Sequence, residues 1–122
     1  MSNCILIVDD SKAMRMIVRR TLKQAGFGHF DIEEATNGAD ALKSIQAMPP
    51  RLVLSDWNMP DMSGYELLTK LRADNIQVPF AMITTEGTPE MRAKAQEAGA
   101  LFLLQKPFTA DELARAVSSV LK

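Results

Sequence analysis

Apolar runs of four to six residues alternate with stretches of helical periodicity five times along this chain, with no repeat and no low-complexity linker between them. Ile5-Leu6-Ile7-Val8, Leu52-Val53-Leu54, Phe80-Ala81-Met82-Ile83 and Leu101-Phe102-Leu103-Leu104 read as buried strands, and a fifth, less apolar strand is placed near Asp31 to Ala35. Between them the spacing predicts helices. The first opens near Ser11 and carries Met14, Ile17, Val18, Leu22 and Ala25 toward the core before Gly26 stops it. Asn37 caps the second, whose Ala41, Leu42 and Ile45 face the sheet, and Pro49-Pro50 ends it. Ser63 with Glu66 and Thr109 with Glu112 have capping-box spacing, which starts the third and fifth helices. The third buries Leu67, Leu68 and Leu71; the fifth shows Leu113, Ala116, Val117, Val120 and Leu121 as one stripe. Thr88-Pro89 starts the fourth, since proline suits the first helical position. The pattern is that of an α/β fold with a parallel sheet between helical layers.

Strand ends carry the polar chemistry. Parallel strands joined by crossover helices place their carboxyl ends along one edge, where functional groups collect. The four apolar runs lead into Asp9-Asp10, Ser55-Asp56, Thr84 and Gln105-Lys106 respectively. Two unit charges about 4 Å apart repel by roughly 4 kcal/mol at a typical effective protein dielectric, so clustered carboxylates need a positive partner. Lys106 supplies one charge. Hard carboxylate oxygens without nearby Cys or His select magnesium, with manganese as the alternative, over zinc. A hydroxyl at Thr84 and an ammonium at Lys106 are donors suited to phosphoryl oxygens, and Asp56 is the group that would carry them. Strand-end acids can also serve merely as helix caps, a reading that explains Asp10 or Ser11 singly but not five positions together.

These residues resemble those of the response-regulator receiver domain, and most of all its single-domain chemotaxis (CheY-like) type. The resemblance runs from Ile5-Leu6-Ile7-Val8-Asp9-Asp10-Ser11 through Asp56-Trp57-Asn58-Met59-Pro60-Asp61-Met62-Ser63-Gly64 to Lys106-Pro107-Phe108. It implies a doubly wound, flavodoxin-like (βα)5 fold with strand order 2-1-3-4-5, and a single receiver domain over residues 1–122 with no output domain. It further implies that Asp10, Asp56 and the backbone carbonyl of Asn58 bind magnesium, with Asp9 acting largely through bound water. Asp56 would take a phosphoryl group from a sensor histidine kinase or a small donor such as acetyl phosphate, assisted by Lys106 and Thr84. Asn58 and Glu86 occupy the positions that tune the lifetime of the phosphoryl group, and a lifetime of seconds to minutes is expected. Lys106-Pro107 in this family usually carries a cis peptide. Expected partners are a chemotaxis-type kinase, a flagellar motor switch or another protein target bound on the face of the fourth helix, fifth strand and fifth helix, and a phosphatase. The chain would be a cytoplasmic, monomeric signalling switch rather than an enzyme acting on other substrates.

One departure is visible. Leu103 stands where chemotaxis relatives have an aromatic switch residue, and Phe102 should point to the opposite face of its strand. The segment from Glu86 to Glu90 also lacks the lysines of the enteric chemotaxis protein. The alternative reading is therefore a non-chemotaxis receiver that relays phosphoryl groups or acts as an interaction module. A haloacid-dehalogenase-type phosphatase would need a general acid where Asn58 stands, and a flavodoxin-like carrier a Ser/Thr-rich loop in place of Asp9-Asp10.

Composition agrees with one globular domain. The chain has 122 residues, 47% hydrophobic, and a formal charge of −1 with cations and acids interspersed, which excludes a basic nucleic-acid surface. No apolar run approaches the roughly 20 residues of a membrane helix. Met1-Ser2-Asn3-Cys4 leads straight into a strand, so no signal peptide is expected. Cys4 is expected to be a buried packing thiol, most of the eight methionines to fill the core, with exposure open only to Met59 and Met62 beside the active-site loop, Trp57 to sit at the rim of the site and sense magnesium, and His29 to have a plain surface role.

Overall fold

The computed structural model describes residues 3–121; Met1 and Ser2, read above as leading into the first strand, and Lys122 lie outside them. Strands β1 (Cys4–Val8), β2 (Asp31–Ala35), β3 (Leu52–Asp56), β4 (Phe80–Thr84) and β5 (Leu103–Gln105) alternate with helices α1 (Lys12–Leu22), α2 (Gly38–Ala47), α3 (Gly64–Ala73), α4 (Pro89–Ala98) and α5 (Ala110–Ser118). All pairings are parallel, in the order β2-β1-β3-β4-β5 that the resemblance implies.

The two-residue period of the strands divides the core into two layers. Leu6, Val8, Val53, Phe80 and Met82 face α2, α3 and α4, meeting Ala41, Ile45, Leu67, Leu68, Leu71 and Ala95. Ile5, Ile7, Leu52, Leu54, Ala81 and Ile83 face α1 and α5, meeting Val18, Leu22, Leu113 and Val117. Because β1, β3 and β4 are covered on both faces, they are apolar at nearly every position, as buried parallel strands must be.

Local signals set the helix ends. The side chains of Ser11, Asn37, Ser63, Thr88 and Thr109 each accept a backbone N–H from the first turn, and both expected capping boxes close. Gly26 does break the helical run, at φ 97°, but it does so inside a π-helical turn that extends α1 over Lys23–Phe27.

Two expectations are corrected. Ile17 is 48% exposed: Met14, Val18, Leu22 and Ala25 lie within one sector, and Ile17 falls roughly 100° from its centre. Leu101 is also exposed, and the fifth strand begins two residues later, although the Leu101 N–H still donates to the Phe80 carbonyl at 2.8 Å. As an edge strand, β5 pairs with β4 alone. Met59 is buried among the α2–α3 layer, and Met62 half-buried over Gly38, so both pack like the other core methionines. Phe102 and Leu103 do diverge, Phe102 toward the α1–α5 layer and Leu103 toward the α2–α4 layer.

Candidate functional site

Each candidate side chain is delivered by the end of a strand. Asp9 and Asp10 follow β1, Asp56 and Thr84 are the last residues of β3 and β4, and Lys106 follows β5. The ladder continues past the strands to fix them. The Asp9 N–H donates to the Ala35 carbonyl at 3.1 Å, Trp57 N–H to Ile83 at 3.2 Å, and Lys106 N–H to Thr84 at 2.7 Å.

The side chains converge as the residue types demanded. Carboxylate oxygens of Asp9, Asp10 and Asp56 lie within 4.8 Å of one another. The Lys106 ammonium sits 3.3 Å from both Asp9 Oδ2 and Asp56 Oδ1, reaching across 97 and 50 residues of sequence. Asp9 is nearly fully buried and Asp10 exposed, so the cluster opens to solvent on one side. Burial is the largest influence on Asp56 and raises its pKa above the ordinary 3.8; the Lys106 charge opposes this, and the Asp9 and Asp10 charges add to it.

Three carboxylates against one ammonium leave a formal charge of −2 when all are ionised, which a divalent cation balances. Every donor is a hard oxygen, and among the described residues no Cys or His joins the group. The set therefore fits magnesium or manganese.

Thr84 is wholly buried, and its hydroxyl accepts the Glu86 N–H at 3.2 Å, which ties the β4–α4 loop to the strand end. Asn58 and Glu86 are both exposed. Leu103 lies farther away, in a groove of about 490 Å³ between α4 and β5, where its carbonyl accepts from the Arg92 guanidinium at 3.3 Å. The Lys106-Pro107 peptide is cis.

Trp57 is not at the rim. It is 9% exposed, belongs to the α2–α4 layer, and stacks on Tyr65 with centroids 5.5 Å apart, while the Lys94 ammonium lies 4.7 Å from the Tyr65 centroid. His29 is exposed, against Phe30, as expected. Cys4 is buried; desolvation and the Glu33 carboxylate, which accepts its S–H at 3.2 Å, push the thiol up to about 12.

Two supporting residues escaped the sequence reading. The buried Ser55 hydroxyl donates to the Asp56 carbonyl at 2.9 Å. A Cβ on Gly64 would fall on that same carbonyl oxygen, so α3 can start against the acceptor strand only with glycine there. Gly64 closes the quoted motif, but what it approaches is a tertiary fact.

Comparison with known proteins gives a consistent result. The family model described as response regulator receiver domain matches residues 5–118. The chemotaxis protein CheY1 of Helicobacter pylori strain J99 is 39% identical over 120 residues, covering 96% of this chain and 95% of that protein. The chemotaxis protein CheY homolog of Campylobacter jejuni is 38% identical over 120 residues, 96% of this chain and 91% of the homolog. Among solved structures, Vibrio cholerae chemotaxis protein CheY4 superposes with a TM-score of 0.85 at 34% identity, over 98% of this chain and 99% of that one.

Proposed function

The chain belongs to the response regulator receiver domain family, and from that premise we propose that Asp56 is the phosphoryl acceptor of a chemotaxis-type switch working in the cytoplasm. The observation that carries this is the meeting of Asp9, Asp10 and Asp56 around the Lys106 ammonium.

Receiver domains bind magnesium at an acidic pocket, and here Asp10, Asp56 and the Asn58 carbonyl would hold it, with Asp9 beside them. The bound cation would offset the charge gathering on the phosphoryl oxygens. The residues do the rest. An Asp56 carboxylate oxygen attacks the phosphorus of a phosphohistidine, the P–N bond breaks, and the electron pair leaves with the imidazole of the kinase. The product is an acyl phosphate on Asp56. Because the transition state is loose, the protein contributes position and charge rather than covalent chemistry. Lys106 is already 3.3 Å from Asp56 Oδ1 and can follow a new oxygen there. The Thr84 hydroxyl would turn to a phosphoryl oxygen and draw the Glu86 loop with it, since that loop is bonded to it. Water then hydrolyses the acyl phosphate past Asn58 and Glu86, within seconds to minutes. The chain is thus a switch that catalyses only its own phosphorylation and dephosphorylation.

Output is assigned to the face of α4, β5 and α5, where a motor switch or another protein would bind. Leu103 favours the second reading, a receiver outside chemotaxis, because the groove beside it carries no aromatic switch residue at that position. The deciding experiment is labelling by a radiolabelled phosphokinase or acetyl phosphate with magnesium present. Wild type should be labelled to near one equivalent and Asp56→Asn not at all; stoichiometric label on Asp56→Asn would refute the assignment.

A further inference from the structure

Asp9 is held at every polar atom. Its N–H donates to Ala35, its Oδ1 accepts the Ser11 N–H at 2.9 Å, and its Oδ2 faces Lys106. Its carbonyl oxygen accepts Nη1 of Arg15 at 2.8 Å. The same guanidinium gives Nε to Glu34 Oε1 at 2.7 Å, and Glu34 in turn takes both Nε and Nη2 of Arg19 on Oε2. Arg15 is only 11% exposed at its side chain, so this bridge is shielded, unlike an ordinary surface pair.

The bridge has a geometric consequence. The Asp9 carbonyl and the Asp10 N–H share one planar peptide, so fixing the carbonyl fixes the direction in which Asp10 leaves the strand. Arg15 stands on α1 and Glu34 on β2; together they lock from behind the turn that aims two of the three clustered carboxylates. A planar fork holding two acceptors at once orients them in a way that a point charge cannot.

We propose that Arg15, anchored by Glu34, is a positioning residue for the cation-binding carboxylates: it acts through the Asp9–Asp10 peptide and touches neither cation nor phosphoryl group. This rests on the magnesium site proposed above. The sign of its effect distinguishes it from simple electrostatics. Removing a positive charge near an acidic cluster should tighten cation binding by Coulomb attraction alone. Removing a positioning residue should weaken it, by roughly tenfold or more, as loss of an outer hydrogen-bonding partner does at metal sites generally.

Calorimetric titration with magnesium chloride, without any phosphodonor, tests this on wild type, Arg15→Met and Arg15→Lys, with circular dichroism to establish that each is folded. Arg15→Met should bind about tenfold more weakly. Arg15→Lys keeps the charge but offers one compact donor, and should fall between the two. It also keeps the test open if Arg15→Met does not fold, since charge alone predicts no change for it. Affinity equal to or tighter than wild type in Arg15→Met, or unchanged in Arg15→Lys, overturns the inference. Absence of magnesium binding by wild type itself would instead overturn the cation site on which it rests.

Discussion

At Asp56 two fields compete: burial and the neighbouring acids resist ionisation, while Lys106 favours it. The net direction is upward, so the folded protein holds a proton on Asp56 more tightly than the unfolded chain does. Stability from this group is therefore fully present below the ordinary value of 3.8 and is lost as pH rises through the raised folded value. Asp56→Asn, which cannot ionise, should unfold at higher temperature than wild type at neutral pH without magnesium, and that advantage should vanish as pH falls below about 3.8. Thermal scans of both proteins across pH check this; a variant less stable than wild type at pH 7 contradicts it. The same imbalance is functional, because the net negative charge of three carboxylates against one ammonium is what a divalent cation would offset, leaving room for the charge a phosphoryl group adds. That Asp9, Asp10, Asp56 and Lys106 would meet was legible from strand endings alone. Arg15, Ser55 and the buried stacking of Trp57 were not, since periodicity reports which face a residue occupies and not which carbonyl or ring its side chain meets.

Among the elements, the β3–α3 connection shows most directly how local signals serve the site. Ser63 and Glu66 fix where α3 begins, and Gly64 lets that beginning press on the carbonyl of the acceptor residue. The Gly64 N–H also donates to the Trp57 carbonyl at 2.8 Å, so helix and acceptor strand are joined at two points. Gly64→Ala should destabilise by about 1–3 kcal/mol, the usual range for overpacking, and slow phosphorylation by displacing Asp56. Denaturant unfolding and labelling rates measure the two effects, and a variant with wild-type stability and rate would show that the contact relaxes freely. Helix ends were readable because capping is a contact between residues three apart. The α1 stripe and the start of β5 were misplaced because apolar residues such as Ile17 and Leu101 are placed by what lies opposite them, and nothing local announces an empty flank.

For the molecule as a whole, the sheet separates two cores and its carboxyl edge gathers the site, so occupying the site should stabilise both layers at once. Magnesium at about 100 times its dissociation constant adds roughly 2.7 kcal/mol to a protein that binds it only when folded. That corresponds to a rise of about 10 °C in the unfolding midpoint for a domain of this size, to be seen in wild type and largely lost in Asp56→Asn. Chelation should reverse it. On the proposed function, transmission to the α4–β5–α5 face would be a population shift, for which the phosphoryl group must contact the active arrangement differently. Lys106→Ala should accept phosphate yet fail to change partner binding, measurable by comparing phosphorylated and unphosphorylated forms against a partner. Normal phosphorylation-dependent binding by this variant would remove Lys106 from the switch.

The amino-acid sequence by itself determined the alternation of strand and helix, the caps, the parallel sheet and the identity of the groups at its edge, because periodicity, capping and strand ends are short-range signals. It also carried the family, through motifs spread from Asp9 to Lys106. Only the tertiary structure decided the distances that make a site of these groups: an ammonium 3.3 Å from two acids that are 47 residues apart in the chain, the burial that raises Asp56, and the Arg15–Glu34 brace behind Asp9. Charge and desolvation act through space, and no spacing along a chain reports how close two strands will bring their ends.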